Sequence, residues 1–137
     1  MQPVLNGDQA EHFIESFKLL KKFIDESLDL YKEELQSILF PIFTELFLGM
    51  VKGRFLKEAR MFFAEEKYQF QYSNKDDLNY LEQVDDVSKL AIPDIAKFIS
   101  NKFQVKVSLY AFQLLFHFVK LNQLILLLEI LNTNVNF

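Results

Sequence analysis

Two histidines, His12 and His117, and two adjacent acid pairs, Asp76–Asp77 and Asp85–Asp86, are the residues of this 137-residue chain most able to do chemistry. Acid–base or nucleophilic catalysis needs such groups to converge on a dry cleft. The sequence offers no such convergence. His117 lies between Phe116 and Phe118 and reads as a helix-surface or boundary residue. His12 sits at a helix start with Glu11 and Glu15 nearby. With no cysteine and no further histidine, a zinc ligand set is incomplete. The acid pairs lack the oxygen spacing and sharp-turn glycine of a calcium loop, so they read as caps and solvated turns. Gly7, Gly49 and Gly53 form neither a GxGxxG nor a Walker pattern. The reading is therefore no enzyme: no catalytic, cofactor-binding or metal residues. The sequence also singles out no partner-binding residue.

Composition narrows the classes further. A formal charge of −4 argues against a nucleic-acid footprint, which needs a basic excess on one face. Basic residues do cluster at Lys18, Lys21 and Lys22 and again at Lys52, Arg54, Lys57 and Arg60, but each cluster stands beside acids. Sixteen phenylalanines with no tryptophan imply a large aromatic core, since phenylalanine carries no polar handle. The lack of cysteine rules out a disulfide framework and fits an intracellular compartment. The N-terminal MQPVLNGDQAEH has no basic region followed by an apolar run, and reads as no signal peptide.

These residues need elements to hold them, and the most apolar stretch, Leu35 to Val51, organises the rest. Its one charge is Glu45, and apolar residues fall on two helical faces, so it must be covered on both sides. Ser37, Pro41, Thr44 and Glu45 interrupt it, and it is shorter than the roughly 20 apolar residues of a spanning helix. Pro41 predicts a kink, or a break with Pro41 at the first position of a new helix. Before it, Phe13, Phe17, Leu20, Ile24, Leu28 and Tyr31 follow the helix period, with Asp8 as candidate cap after a loose lead-in over residues 1–9. Tyr31 to Glu34 reads as a polar junction with no Gly or Pro to mark a turn, either a tight bend or a nearly continuous helix.

Gly53 suits a left-handed C-terminal cap, and Phe55, Ala59, Phe62 and Phe63 mark another helix. Residues 68–75 read as an extended connection, and Asp76 to Val84 as a short helix capped by Ser73 or Asn74. Ser88 caps one turn and Pro93 opens the next helix. Strict alternation at Phe103, Val105 and Val107 is the clearest period-two signal, either a connector or a partner for Thr133 to Phe137. Ser108 caps a helix burying Phe112, Leu115, Phe116 and Val119, and Leu124 to Leu131 give the last one. The expected fold is all-α: about seven to nine helices in a single-domain bundle over residues 10–137, with at most one short extended segment near Phe103–Val107.

Several blocks in this order resemble one family. They are F-x2-LKKFIDESLDLYKEEL (17–35), LFPIFTELFLGMVKG (39–53), EARMFF (58–63), DDLNYL (76–81) and SNKFQVKVSLYAFQLLFHFV (100–119), with a weaker match through LEILNTNVNF. Together they are similar to the N-terminal helical domain of the large WD40-containing, TBP-associated factor subunit of general transcription factor TFIID. That resemblance implies a non-enzymatic scaffold domain, with a LisH motif upstream and WD40 repeats downstream in the parent protein. It also implies a nuclear setting, other TFIID subunits or SAGA-type coactivator subunits as partners, and no cofactor. Self-association is left open, and no nucleic acid, membrane or small-molecule substrate is expected. The competing readings are an unrelated peptide-docking helical adaptor, which surplus exposed phenylalanine would favour, and a hydrophobe-carrying bundle, which an apolar cavity would favour.

Overall fold

The structure is a computed structural model, and it describes residues 7–100, 103–122, 124–133 and 135–136. Among them are eight α-helices: α1 Gly7–Asp25, α2 Asp29–Gln36, α3 Leu39–Lys52, α4 Leu56–Glu66, α5 Lys75–Glu82, α6 Pro93–Ser100, α7 Leu109–Leu121 and α8 Ile125–Thr133. Two 3₁₀ turns, Lys67–Phe70 and Val87–Ala91, flank α5. Two short strands, β1 Phe103–Gln104 and β2 Val135–Asn136, pair in parallel. The protein is all-α, as the periodicity predicts. The extended signal is real but shorter than Phe103–Val107, and of its two alternatives the pairing holds, with a strand inside Thr133 to Phe137.

The breaks between the first three helices fall at serines. Ser27 Oγ donates to the Phe23 carbonyl at 2.8 Å, and Ser37 Oγ donates to the Glu34 carbonyl. At both places the backbone tightens to bonds three residues back, Ser27 N to Ile24 O and Ser37 N to Glu34 O. A serine hydroxyl that takes a helical carbonyl offers the chain a way out of the helix. This bears on two expectations. Tyr31 to Glu34 lies within α2, which leads into α3 after a break of only two residues, the nearly continuous alternative. Leu28, by contrast, leaves the buried stripe at the N-cap of α2. Pro41 does not begin α3, although a break does fall just ahead of it at Ser37–Ile38. It is the third residue of a helix that restarts at Leu39, where its missing N–H costs nothing because first-turn donors have no helical acceptor.

Other local expectations move by a residue or change type. The left-handed residue after α3 is Arg54 (φ 67°), not Gly53. Arg54 N bonds Val51 O and Phe55 N bonds Met50 O, both at 2.9 Å, the two bonds that close a helix through a left-handed residue. Residues 68–75 form a 3₁₀ turn and bends in place of an extended connection, so their aromatic alternation is not a strand. Asn74 does hold the N-cap position of α5 but makes no side-chain cap bond, and Asp86 rather than Ser88 caps the second 3₁₀ turn. Pro93 opens α6 and Ser108 caps α7, accepting from Ala111 N at 3.2 Å.

Contacts group the chain into two compact units, the first of Met1–Ile14 and Thr44–Asn101, the second of Glu15–Phe43 and Lys102–Phe137. In the first unit Phe47 packs on Phe63 with ring centres 5.0 Å apart, and Leu46, Met50, Phe62 and Leu81 are fully buried. Gly49 lets Phe13 close in: a Cβ there would stand 3.3 Å from Phe13 Cε2. In the second unit Phe17 and Phe43 lie 6.1 Å apart, Phe40 meets Phe103 edge-on at 6.3 Å, and Phe23 stacks on Phe118 at 4.2 Å. The α8 helix packs on α7 and on β2, and α2 packs on α7. The Asp29–Lys52 run is apolar and long enough to cross a membrane by length and composition, yet 72% of its apolar 18-residue window is buried within the protein and Ser37–Ile38 divides the run.

Candidate functional site

The groups that opened the sequence reading do not come together. His12 and His117 are exposed on α1 and α7, and no cluster of metal-binding side chains occurs among the described residues. Asp76 and Asp77 lie in the first turn of α5, where they complement its dipole. Asp85 pairs with Lys89 at 3.3 Å. The Ser88 hydroxyl, followed by the Ser88 backbone N–H, holds the Asp86 carboxyl below its ordinary 3.8. Each acid is accounted for by a local structural task.

One carboxyl is not. Glu45 Oε1 on α3 is sealed from solvent with no hydrogen-bond partner, and burial pushes the carboxyl from its ordinary 4.5 up to about 7. Its neighbour Thr44 also has a buried, unpartnered hydroxyl. Burial without a compensating bond disfavours the charged form, so the folded chain keeps a proton there that the unfolded chain loses.

The first unit also presents a groove of about 400 Å³ between α4, the first 3₁₀ turn and α5. Phe63 and Leu78 supply its apolar side, and Lys67, Tyr72, Lys75 and Glu82 its rim. Lys67 Nζ and Glu82 Oε1 pair at 3.0 Å, and Arg60 Nη1 donates to the Glu82 and Val84 carbonyls at 2.8 and 3.3 Å. The end of α5 is thus tied to α4 through its otherwise orphaned carbonyls. A charged, open rim differs from the enclosed apolar cavity that a hydrophobe carrier requires.

The second unit has a different feature, at the joint between α2 and the start of α7. Glu34 grips the cap residue of α7: its Oε2 accepts from the Ser108 hydroxyl at 2.8 Å and its Oε1 from the Ser108 N–H at 3.3 Å. Tyr31 and Tyr110 meet with ring centres 4.9 Å apart. Around them Leu28, Leu30 and Leu109 are 73, 75 and 72% exposed, and Tyr110 is 55% exposed. Sequence patterning missed this surface because it places Leu28 and Tyr31 on the buried stripe of the first helix. No described phenylalanine, by contrast, is exposed, which counts against a phenylalanine-lined adaptor groove.

The fold is that of an all-α helical domain, with no cluster of metal-binding side chains among the described residues. Residues 7–135 match the family described as the WD40 associated region in TFIID subunit, NTD2 domain, and the chain belongs to that family. It is 29% identical over 131 residues to transcription initiation factor TFIID subunit 5 of Arabidopsis thaliana, covering 95% of this chain and 20% of that protein. It is 31% identical over 134 residues to TFIID subunit 5 of Encephalitozoon cuniculi (strain GB-M1), covering 96% and 23%. The SAGA complex/transcription factor TFIID complex subunit Taf5 of Schizosaccharomyces pombe (strain 972 / ATCC 24843) is 27% identical over 119 residues, covering 82% and 18%. The crystal structure of the Encephalitozoon cuniculi TAF5 N-terminal domain superposes with a TM-score of 0.86 at 27% identity, covering 90% of this chain and 95% of that one. The chain therefore spans about a fifth of the length of these full-length relatives. The family is one of TFIID subunit domains, and no catalytic activity is indicated.

Proposed function

We propose that this chain is a protein–protein interaction scaffold domain that helps assemble TFIID for transcription initiation by RNA polymerase II. The observation that carries this reading is the family match across residues 7–135, joined to the likeness of the whole fold to a TAF5 N-terminal domain. Residues 10–137 act as one domain of a longer protein that carries WD40 repeats, works in the nucleus and binds other TBP-associated factors. The Schizosaccharomyces pombe relative bears both SAGA and TFIID in its name, which supports coactivator subunits of the SAGA type as a second set of partners. The domain works by presenting rigid helical faces. It makes no direct nucleic-acid contact, in keeping with its charge of −4.

Affinity purification of the full-length parent protein from nuclear extract tests this. TBP-associated factors should co-purify, and deletion of this segment should reduce their recovery. Recovery of none of them would overturn the reading.

A further inference from the structure

We infer that the α2–α7 joint of the second unit is a docking site for a basic amphipathic segment of a partner protein. The site is formed by Leu28, Leu30, Tyr31, Leu109 and Tyr110, and this deepens the scaffold reading on which it rests. Single exposed leucines are ordinary on protein surfaces. Here three of them flank a pair of touching tyrosines, and a dedicated polar clamp, Glu34 on Ser108, holds the two helices that carry them. Tyrosine and large aliphatic side chains on a pre-organised scaffold are what the buried centre of a protein interface is made of, because little rotamer freedom remains to be lost on binding.

Charge decides the partner. From Asp25 to Gln36 the chain carries five acids, Asp25, Glu26, Asp29, Glu33 and Glu34, against the one cation Lys32, a local −4 that equals the charge of the whole protein. Asp25, Glu26, Asp29 and Glu33 are exposed, and Lys32 is already paired with Asp29 at 3.8 Å. A patch with acids along its α2 side, and Lys106 as the one cation just before α7, disfavours nucleic acid and anionic lipid. It also repels a second copy of itself, since a two-fold contact would set acid rim against acid rim. The complementary ligand has apolar residues on one face with lysine or arginine beside them, laid along the leucines as a helix in a groove.

The test uses the 137-residue chain and two labelled helical peptides with the same leucine face, one with lysine and one with glutamate on its flanks. Fluorescence anisotropy should show the lysine peptide bound at least about tenfold tighter than the glutamate peptide, and weakened by salt. The double variant Leu30→Ser with Leu109→Ser keeps every charge and should lose about tenfold in affinity with an unchanged circular-dichroism melt. Asp29→Asn with Glu33→Gln should keep the apolar contacts and lose the preference between the two peptides. Equal binding of both peptides, or an unchanged affinity in the leucine variant, would overturn the proposal. So would a dimer in sedimentation that the leucine variant abolishes. Co-purification of TBP-associated factors can succeed while this fails, so the two readings fall separately.

Discussion

The two units share a way of packing and differ in how they finish their surfaces. Both bury phenylalanine against phenylalanine, Phe47 on Phe63 in one and Phe17 by Phe43 in the other. The first unit closes its polar loose ends with side chains: Arg60 takes two orphan carbonyls at the end of α5, and Lys67 takes Glu82. The second unit spends its polar clamp, Glu34 on Ser108, on fixing a joint and then leaves leucine and tyrosine around it in water. A hydrogen bond from a charged group that ties two helices together adds modestly to stability. An exposed leucine adds little to the fold, and only a group of them around a fixed joint points to something outside it. The first unit exposes apolar side chains too, Tyr72 and Met61 among them, so the difference lies in the clamp that fixes the joint of the second.

Substitutions can break that contrast, starting with the largest effect. Phe43→Asp puts an unpaired charge at a fully buried position of the second unit, so its urea melt should lose roughly 4 kcal/mol or more, or show no folded baseline. An unchanged melt would show that α3 is not part of a tight core. Arg60→Met in the first unit should cost about 1–2 kcal/mol, because the Glu82 and Val84 carbonyls lose their charged donor. Leu30→Ser in the second unit should stay within about 0.5 kcal/mol of the parent. If the exposed leucine proved as costly as the arginine, the division between the units would vanish.

Glu45→Gln gives a pH-dependent contrast. The carboxyl rises on folding from 4.5 to about 7, so the folded chain binds the extra proton between those values. Stability from this group is therefore lost as pH rises through that window. Thermal melts of Glu45→Gln and the parent should nearly coincide at pH 5. At pH 8 the variant should be ahead by about 1 kcal/mol, a figure reduced for solvent screening at the open oxygen. A gap that shrank toward pH 8 would mean that the carboxylate has a partner. Last, Arg54→Gly relieves a left-handed arginine and should raise stability by about 0.5–1 kcal/mol in a chemical melt, despite removing a side chain. A loss would show that the arginine side chain does structural work.

Much of the fold was legible because it rests on local rules. Phe13, Phe17, Leu20 and Ile24 are buried at the helix period, Pro93 and Ser108 open their helices, and both faces of the stretch around Phe43 are covered. The errors were also local in kind: serine hydroxyls at Ser27 and Ser37 end helices that hydrophobic periodicity would continue through. The family was readable in the order of blocks, LFPIF above all, and it named the class of function without naming a surface.

The sequence by itself determined the helices, most of the core and the family, since each depends on spacing along the chain and burial of apolar area. Tertiary structure alone decided which leucines stay outside. Leu28 and Leu30 have the same chemistry and similar spacing as the buried Leu20 and Leu35, and only the turn at Ser27 and the meeting of α2 with α7 face them to water. It also decided the state of Glu45, because desolvation is a property of what surrounds a carboxyl and not of its neighbours in the chain.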